Sequence, residues 1–505
     1  MAKIEQFSNR WGIILASLGM AIGAGNIWRF PRLAGQYGGA FIVLWIVFLL
    51  IWSIPLLLAE FAIGKKFKKG VIGSYASLAG EKYTWLGFFI TICTLGIAFY
   101  YSVVTAWALQ YLGLSITHAL DPLFLEPTLA EKLAETPSYL NTQWDDISNG
   151  NGITVAFFVG IIVVATYLLV KGVRRGLEQA NRVLIPSLFV LLVFIAFISL
   201  NMKNGIKGLE YMFHVDFKLF SNPTIWIEAL SQSAWSTGAG WGLMMTISSY
   251  SRNKEDVTLN TFVGAFGNNT ASLLAGIAIL PAVFALTPTD TEALSYLQSG
   301  NQALTFTIIP MLFSTIPGGS LMSIVFFLAL FLAAFSSLLP MIELFTKNLY
   351  DLGISRKKSV NRVIFFFILF GLPSALSLNY FSNQDWVWGV GLIVTGMFIM
   401  IGVVKYGAER FKTELIDGDS DFKIPTKYFT ICITANIGVA VFLIYWWLSQ
   451  GYSANPWFDE NGLWNVFDTY SNASVITQWL LVLVIGFLLN RYLYRKFVIE
   501  EHEWL

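Results

Sequence analysis

The stretch LASLGMAIGAGNIWRFPR, from Leu15 to Arg32, joins an apolar membrane-helix sequence to a run of helix-breaking residues. Gly19, Gly23 and Gly25 lie close together, and Asn26 follows with apolar residues on both sides. Each glycine costs roughly 1 kcal/mol relative to alanine in a helix interior. Non-helical backbone persists at membrane depth only where it is packed in protein or lines a water-filled cavity. We therefore expect a helix that is broken inside the membrane, with a binding site at the break.

The composition is that of a polytopic membrane protein. The chain has 505 residues, of which 56% are hydrophobic and 12% are charged, whereas soluble proteins carry about 25% charged residues. The net charge of +1 gives no sign of a nucleic-acid partner. Cys93 and Cys432 both lie in apolar segments, so no disulfide framework is expected. The polar N-terminus predicts no cleavable signal peptide.

Apolar segments of about 20 residues predict membrane spans. About twelve are expected, so the predicted fold class is an all-α polytopic membrane protein. They lie near residues 11–36, 40–63, 86–117, 153–170, 177–200, 226–250, 257–286, 321–350, 360–380, 385–405, 428–449 and 474–493.

The basic loops predict the orientation. They are Lys65–Lys69, Lys171–Arg175, Ser251–Lys254, Ser355–Lys358 and Lys405–Lys427, and with twelve spans they all fall on one side. The opposite loop, residues 118–152, is mainly acidic. Because basic loops stay in the cytoplasm, we expect a multi-pass protein of the plasma or inner membrane with both termini cytoplasmic.

Two further segments interrupt the helical pattern. The fifth contains Gly176 and Pro186, and proline removes a backbone hydrogen bond. Either a static kink or a place where the cytoplasmic half of the helix opens to release cargo would explain it. The sixth reads QSAWSTGAGWG over residues 232–242 and again clusters glycines and small hydroxyls. Interrupted helices in corresponding positions of two halves mark the binding site of transporters built from inverted repeats.

The motif GMAIGAGNIWRFP, from Gly19 to Pro31, resembles the first helix of the neurotransmitter:sodium symporter family, the leucine-transporter-like carriers. The similarity continues through GGAF, PLLLAEFAIG, the sixth segment, GNNTAS and AAFSS, and covers roughly residues 8–405. It implies an inverted 5+5 repeat with helices 1 and 6 broken. Residues 1–200 would form the first repeat and 201–405 the second. Residues 406–505 would form the last two helices and a cytoplasmic tail.

The resemblance also implies two sodium sites. Site 1 would use Ala21, Asn26, Ser236 and Asn268, together with the substrate carboxylate. Site 2 would use Gly19, Ile22, Ala333, Ser336 and Ser337. Sodium prefers oxygen ligands, and carbonyl groups freed by a broken helix supply them. The alternative for the two serines is that both bond back to carbonyls of their own helix.

Resemblance places the substrate beside the same break. Tyr101 matches the tyrosine that holds the substrate carboxylate, and Gly23 takes the position of an aspartate in monoamine carriers. We therefore expect an amino acid with a neutral side chain of small or medium size, because none of the matched residues is charged. They are Ala21, Gly23, Gly25, Ile97, Tyr101, Trp235, Ser236, Gly238, Trp241, Ser337 and Met341. The alternative for Tyr101 and both tryptophans is a packing role alone.

An outer and a cytoplasmic gate follow from the same resemblance. Arg29 is expected to pair with Asp385 on the outer side, and Tyr250 and Asp351 match the cytoplasmic gate. The N-terminal gating arginine of the family has no clear equivalent; Ile4 falls nearest, with Lys3 adjacent.

Chloride dependence stays open in the sequence. The side chains of Gln232, Ser236, Asn268 and Ser272 could face an anion, and no carboxylate is evident near them to compensate two sodium ions. Against this, Trp45 stands where the chloride site of the family has tyrosine.

The predicted function is sodium-coupled symport of a neutral amino acid by alternating access. An amino-acid sensor of the same fold, without net transport, is the alternative. A channel would need repeated filter loops or charged rings. An enzyme is not expected, because His118, His214 and His502 lie outside any nucleophile–base pattern. The oligomeric state is not predicted.

Overall fold

The computed structural model describes residues 5–118 and 129–500, and these residues are almost entirely helical. Ten of their helical runs are long and apolar enough to cross a membrane. One of the ten, Ala24–Phe67, contains two spans, because Gly38 turns the chain inside it with a φ of +56°. The sixth span consists of two shorter helices. The described part of the chain therefore accounts for twelve spans, as the sequence predicts.

The spans are numbered in chain order. Span 1 contains Arg10–Ala21, Ala24–Ile27 and the first half of Arg29–Phe48; span 2 contains the second half of that helix, Leu49–Ser53 and Ile54–Phe67. Spans 3 to 6 are Thr84–His118, Gly152–Val170, Val173–Asn201, and Pro223–Thr237 with Leu243–Ser249. Spans 7 to 12 are Val257–Leu286, Gly319–Asp351, Arg356–Leu376, Leu378–Tyr406, Thr426–Ser449 and Asn472–Ile499.

Shorter helices connect the spans. They are Val71–Ala79, Glu81–Tyr83, Leu129–Ser148, Gly205–Phe213, Phe217–Ser221, Asp290–Leu297, Asn301–Ala303, Leu304–Ile308, Ile309–Ser314, Ala408–Phe411, Lys412–Ile416 and Asp417–Asp419.

The start of span 10 differs from the prediction. The predicted spans 360–380 and 385–405 leave residues 381–384 between them, but span 9 ends at Leu376 and span 10 begins at Leu378. The side chain of Ser377 caps the new helix by accepting from the backbone N–H of Tyr380, as serine does at helix starts. Asn383 then donates to the hydroxyl of Ser474 on span 12. These polar side chains therefore lie within span 10 and link it to span 12.

The spans divide into an inner and an outer group. In the most apolar stretch of span 3, 83% of the residues are buried by protein, against 33% in spans 5, 11 and 12. Span 3 packs on spans 8 and 10, and span 1 packs on spans 5, 7 and 8. The two broken spans, 1 and 6, contact each other in the centre of the bundle.

The basic loops gather at one end of the bundle, which is called the basic side below. Lys69 donates to the carbonyl oxygen of Phe497 at 2.7 Å, and Arg356 donates to that of Leu169 at 2.8 Å. Lys68 donates to the carbonyl oxygen of Ser251. The predicted alternation of the loops is therefore present in the fold. Span 5 is a continuous helix through Pro186 in this conformation.

Candidate functional site

The break in span 1 falls where the glycines predict it. The helix ends at Ala21, and Ile22 and Gly23 are extended, with ψ values of 103° and −172°. The helix resumes at Ala24, and the Oδ1 of Asn26 accepts from the backbone N–H of Gly23 at 2.9 Å. The buried amide of Asn26 therefore closes the turn that its neighbouring glycines permit.

The break in span 6 depends on three glycines. Gly238, Gly240 and Gly242 have φ values of +70°, +93° and +74°, a conformation that residues with a Cβ rarely adopt. The helix that ends at Thr237 resumes at Leu243. Regular helical hydrogen bonding is therefore interrupted between these two helices, where turn contacts such as that from the N–H of Trp241 to the carbonyl oxygen of Gly238 at 3.4 Å replace it.

The four residues predicted for sodium site 1 lie together. The Nδ2 of Asn26 donates to the Oδ1 of Asn268 at 2.7 Å, and the Nδ2 of Asn268 donates to the hydroxyl of Ser236 at 3.1 Å. With the Asn268 amide turned by 180°, its Nδ2 donates instead to the carbonyl oxygen of Ala21 at 3.1 Å. Spans 1, 6 and 7 thus contribute to one buried cluster of amide, hydroxyl and carbonyl groups.

The residues predicted for sodium site 2 also lie together. The Oγ of Ser337 lies 3.1 Å from the carbonyl oxygen of Gly19, 3.3 Å from that of Met20 and 3.0 Å from that of Ile22. A hydroxyl has one proton to donate, so at most one of these three carbonyls is satisfied by Ser337 at a time. Carbonyl oxygens that converge in this way make a site suited to a cation.

The sequence leaves open whether Ser336 and Ser337 bond back to carbonyls of their own helix, and the two residues differ in this respect. The hydroxyl of Ser336 donates to the carbonyl oxygen of Ala333 at 2.9 Å, one turn back in span 8, and lies 3.3 Å from that of Ile22. Back-bonding to its own helix therefore applies to Ser336. Ser337 instead reaches across to the break in span 1.

A cavity of about 470 Å³ leads to the two breaks. Of the predicted substrate residues it is lined by Ala21, Gly23, Gly25, Tyr101, Trp235, Ser236, Gly238, Trp241, Ser337 and Met341. Ile97 does not line it: this residue is fully buried one turn before Tyr101, and Val104 lines the cavity from the same span. Ile97 shares the face of span 3 that carries Tyr101 and Val104, but it lies one turn deeper, and the cavity ends before it reaches this residue.

Gly23 leaves room beside the Tyr101 hydroxyl. A Cβ built on Gly23 would lie 2.7 Å from the Oη of Tyr101 and 3.0 Å from the Oγ of Ser337. The Oη of Tyr101 accepts from the backbone N–H of Ala24 at 2.9 Å. The tyrosine hydroxyl is thus fixed at the edge of the break, and a side chain at position 23 would displace it.

Comparison with known proteins decides the family. The model of the sodium:neurotransmitter symporter family matches residues 4–124 and 126–497. The chain belongs to this family. It is therefore a membrane-spanning, sodium-dependent transporter, and the family is one of transporters and not of enzymes.

Relatives and solved structures agree with this assignment. An uncharacterized sodium-dependent transporter of Methanocaldococcus jannaschii is 33% identical over 438 residues, covering 83% of this chain and 85% of the relative. The sodium-dependent neutral amino acid transporter B(0)AT2 of Mus musculus is 28% identical over 284 residues, covering 53% and 39%. The crystal structure of MhsT in complex with L-phenylalanine has a TM-score of 0.75 and 26% identity, covering 87% of this chain and 99% of MhsT.

Sequence reasoning missed one carboxylate in the core of this symporter. Glu60 on span 2 is fully buried, and its Oε1 accepts from the backbone N–H of Gly240 at 2.6 Å. This carboxylate lies at the span 6 break, beside Gly240, and is not among the predicted site residues. The sequence signal for this residue was a single acid within the apolar segment PLLLAEFAIG.

The predicted ion pair between Arg29 and Asp385 is not formed, although the structure describes both residues. The Nη2 of Arg29 lies 3.1 Å from the Oε2 of Glu228 on span 6. The Oδ1 of Asp385 accepts from the hydroxyl of Tyr100 at 2.8 Å. Both predicted residues line the cavity. An open cavity between spans 1 and 10 accounts for the difference, because each charge then bonds to a nearer neighbour.

The basic side of the bundle is closed by charged residues. Tyr250 donates to the Oε1 of Glu343 at 2.5 Å, and Arg356 lies 2.7 Å from the same carboxylate through its Nη2. The Nη1 of Arg356 lies 3.1 Å from the Oε2 of Glu5. These contacts tie the N-terminal segment to spans 6, 8 and 9. Ile4 and Lys3, predicted near this gate, lie outside the described residues.

Asp351, the other predicted residue of this gate, joins the network indirectly. It accepts from Lys347 at 2.5 Å and from the backbone N–H of Gly70 at 2.5 Å. The Nζ of Lys347 also lies 5.6 Å from the ring centroid of Tyr250. Tyr250 and Asp351 are therefore connected through a lysine that the sequence did not single out.

The residues predicted to face chloride adjoin site 1. Ser272 accepts from the Nδ2 of Asn26 at 2.7 Å, and the Nε2 of Gln232 lies 3.4 Å from the carbonyl oxygen of Gly25. Ser236 and Asn268 belong to the site 1 cluster itself. Trp45 packs against Phe30, with 4.6 Å between ring centroids.

Proposed function

We propose that this chain carries a neutral amino acid together with sodium into the cell by alternating access. One observation supports it above the others. The cavity leads inward from the outer charged residues and ends at Ser337, which contacts the carbonyls of site 2 and also lies beside Gly23. Substrate and sodium would therefore bind at adjoining positions. Each would then raise the affinity for the other by the same factor.

The substrate class follows from the residues at the break. Gly23 leaves the space beside Tyr101 to a carboxylate that the substrate itself brings. The rings of Trp235 and Trp241 pack edge to face, with 5.1 Å between their centroids, and both line the same cavity. The charged residues that line the cavity, Arg29, Arg32, Glu228 and Asp385, belong to its outer part. A neutral side chain of small or medium size fits this arrangement.

The relatives support this substrate class. B(0)AT2 is described as a neutral amino acid transporter, and MhsT was solved with L-phenylalanine. Both resemble this chain in sequence, and MhsT also in fold.

The proposal includes the orientation of the chain in the membrane and the direction of transport. With the basic side in the cytoplasm, both chain ends are cytoplasmic and the open cavity faces outward. The contacts of Glu343 and Arg356 then form the closed inner gate. Arg29 and Asp385 would come together when substrate and two sodium ions close the outer side. Proline and glycine in span 5 would let its cytoplasmic part loosen when the inner side opens.

We extend the proposal to a chloride ion beside site 1. Gln232, Ser236, Asn268 and Ser272 carry N–H and O–H groups within or next to one buried cluster. An anion there would offset the charge of the sodium ions in a region of low dielectric constant.

Uptake into proteoliposomes tests the proposal. The purified chain would be reconstituted and given an inward sodium gradient, with each neutral amino acid tested as a competitor. We expect accumulation that collapses when sodium is replaced by choline. Sodium-dependent binding without accumulation would favour the sensor, and a lack of both would contradict the proposal.

A further inference from the structure

Asn181 on span 5 carries a buried amide oxygen without a donor. The residue is fully buried, and its Nδ2 donates to the carbonyl oxygen of Leu177, one turn earlier, at 3.1 Å. Its Oδ1 accepts no hydrogen bond from any residue that the structure describes. An unsatisfied buried oxygen costs about 1–3 kcal/mol, so this atom calls for a partner of another kind.

The orientation of this amide is determined by its neighbours. Exchanging its oxygen and nitrogen would place two oxygens together at Leu177 and lose the one hydrogen bond that this side chain makes within the described residues. The oxygen is therefore the atom that faces span 1. A Cβ built on Gly19 would overlap this Oδ1. Gly19 is thus the residue that lets the oxygen reach the backbone of span 1.

Gly19 also connects Asn181 to sodium site 2. The carbonyl oxygen of Gly19 lies 3.1 Å from the hydroxyl of Ser337. Asn181 and Ser337 therefore contact the same residue, one from span 5 and one from span 8. Asn181 thus brings an acceptor without a donor to the glycine whose carbonyl oxygen converges on Ser337 with those of Met20 and Ile22, and oxygen atoms gathered in this way suit a cation.

Polar groups continue from Asn181 toward the basic side. Glu178, one turn earlier on span 5, is buried against Gly12, where a Cβ would lie 2.5 Å from its carboxyl carbon. Its Oε2 accepts from the backbone N–H of Ser8 at 2.9 Å. Two glycines of span 1, seven residues apart and so on one helix face, each admit an oxygen-bearing side chain of span 5. Asn181 is the one next to site 2.

We infer that the Oδ1 of Asn181 is a further sodium ligand of site 2. It receives the ion from the carbonyl of Gly19 as sodium leaves toward the basic side. This inference rests on the proposed function, because it takes site 2 to hold sodium. It adds a residue of span 5 to a site that the sequence builds from spans 1 and 8 alone.

Sodium-dependent thermal stability tests the inference with sodium itself as the probe. A cation that binds the folded state stabilises it by RT ln(1 + c/Kd), where c is the cation concentration, so the sodium concentration at which the unfolding temperature rises reports the affinity. The purified full chain would be titrated with NaCl against choline chloride at constant ionic strength. Asn181→Leu removes the oxygen at nearly constant size, and Asn181→Asp keeps the shape and adds a charge. Asn436→Leu is the matched control, since this buried asparagine of span 11 bonds to Ile51, away from the site.

The two Asn181 variants are expected to move in opposite directions. The sodium concentration for half-maximal stabilisation should rise at least fivefold in Asn181→Leu and fall at least threefold in Asn181→Asp, with Asn436→Leu within twofold of the unmodified chain. General damage to packing would weaken the sodium response in both variants, and that result would overturn the inference. The aspartate variant, isosteric with asparagine, decides the matter alone if the leucine variant does not fold.

Ser337→Ala separates this inference from the proposed function. If sodium does not stabilise the unmodified chain, the proposed sodium coupling fails. If sodium does stabilise it, and Ser337→Ala alone weakens the response while both Asn181 variants stay within twofold, only the role of Asn181 is overturned.

Discussion

The hydroxyl oxygen of Ser337 on span 8 lies 3.1 Å from the carbonyl oxygen of Gly19 on span 1. This contact joins a continuous helix to a broken one. The carbonyl is available only because span 1 stops being helical after Ala21. In the proposed mechanism, sodium coupling would depend on the break itself, since the ion would replace the hydrogen bonding that the backbone has lost.

Ser337→Ala should weaken sodium binding without unfolding the protein. The variant removes one oxygen from site 2 and leaves the carbonyls of Gly19 and Ile22 in place. We expect the sodium concentration for half-maximal substrate uptake to rise about tenfold, which corresponds to about 1.4 kcal/mol. Ser374→Ala is the control, because that buried serine of span 9 lies outside the cavity lining. Equal sodium dependence in both variants would contradict the role of Ser337.

Asn26→Ala should abolish sodium-dependent substrate binding. Asn26 accepts from Gly23 and donates to Asn268 and Ser272, so its loss removes a ligand and leaves three buried groups without a partner. Each such group costs about 1–3 kcal/mol. Equilibrium binding measured across a sodium titration checks the expectation. A variant with ordinary sodium affinity would show that Asn26 only closes the turn.

Both breaks could be predicted from the sequence because helix-breaking residues act locally. Three glycines beside Asn26 contradict helix propensity within one stretch, and the same holds around Gly240. The pairing of charges could not be predicted in this way. Arg29 bonds to Glu228, which is distant in sequence and becomes a neighbour only when spans 1 and 6 pack.

Polar residues inside helices explain the remaining differences between the structure and what the sequence predicts. Glu60 is a single acid in an apolar segment, and only the fold shows that it bonds to the backbone of Gly240. Asn383 and Gln384 look like a loop in sequence, whereas in the structure they bond to residues of span 12. A polar side chain in a membrane protein signals either a loop or a partner, and the sequence does not contain the partner's position.

Gly23→Asp should abolish amino-acid uptake. The Cβ alone would lie 2.7 Å from the hydroxyl of Tyr101, and the new carboxylate would occupy the position proposed for that of the substrate. We expect at least a tenfold loss of binding for every neutral amino acid. Gly160→Ala on span 4 is the control, since its Cβ would meet nothing within 4 Å. Retained amino-acid uptake in Gly23→Asp would contradict the proposed position of the carboxylate.

Replacing chloride by gluconate should reduce uptake at least fivefold. An anion among Ser236, Asn268 and Ser272 would compensate the sodium charges, and gluconate is too large to take its place. Ser272→Glu should restore uptake in gluconate by supplying a permanent negative charge, and Ser272→Ala should not. Uptake that is unchanged in gluconate would remove chloride from the mechanism.

Arg356→Ala should open the basic side of the transporter. Arg356 bonds to Glu343 and Glu5 at once, and Glu343 is fully buried. Among the described residues, the variant leaves this carboxylate with only the hydroxyl of Tyr250 as a partner. Removing one member of a buried ion pair costs about 3–5 kcal/mol, and the chain can avoid this cost by exposing Glu343 to water. A cysteine in place of Ser249, which is buried beside Tyr250, would report the opening.

Labelling of that cysteine by a charged maleimide, added from the basic side, should be several-fold faster in Arg356→Ala. The matched control is Arg410→Ala, which removes an exposed pair with Glu414 on the same side and should leave the rate unchanged, because exposed ion pairs contribute little. Equal labelling rates in both variants would show that the ion pairs of Arg356 do not hold the gate closed. In that case the packing of Phe7, whose backbone N–H donates to the carbonyl of Tyr250 at 3.1 Å, would be the remaining closure.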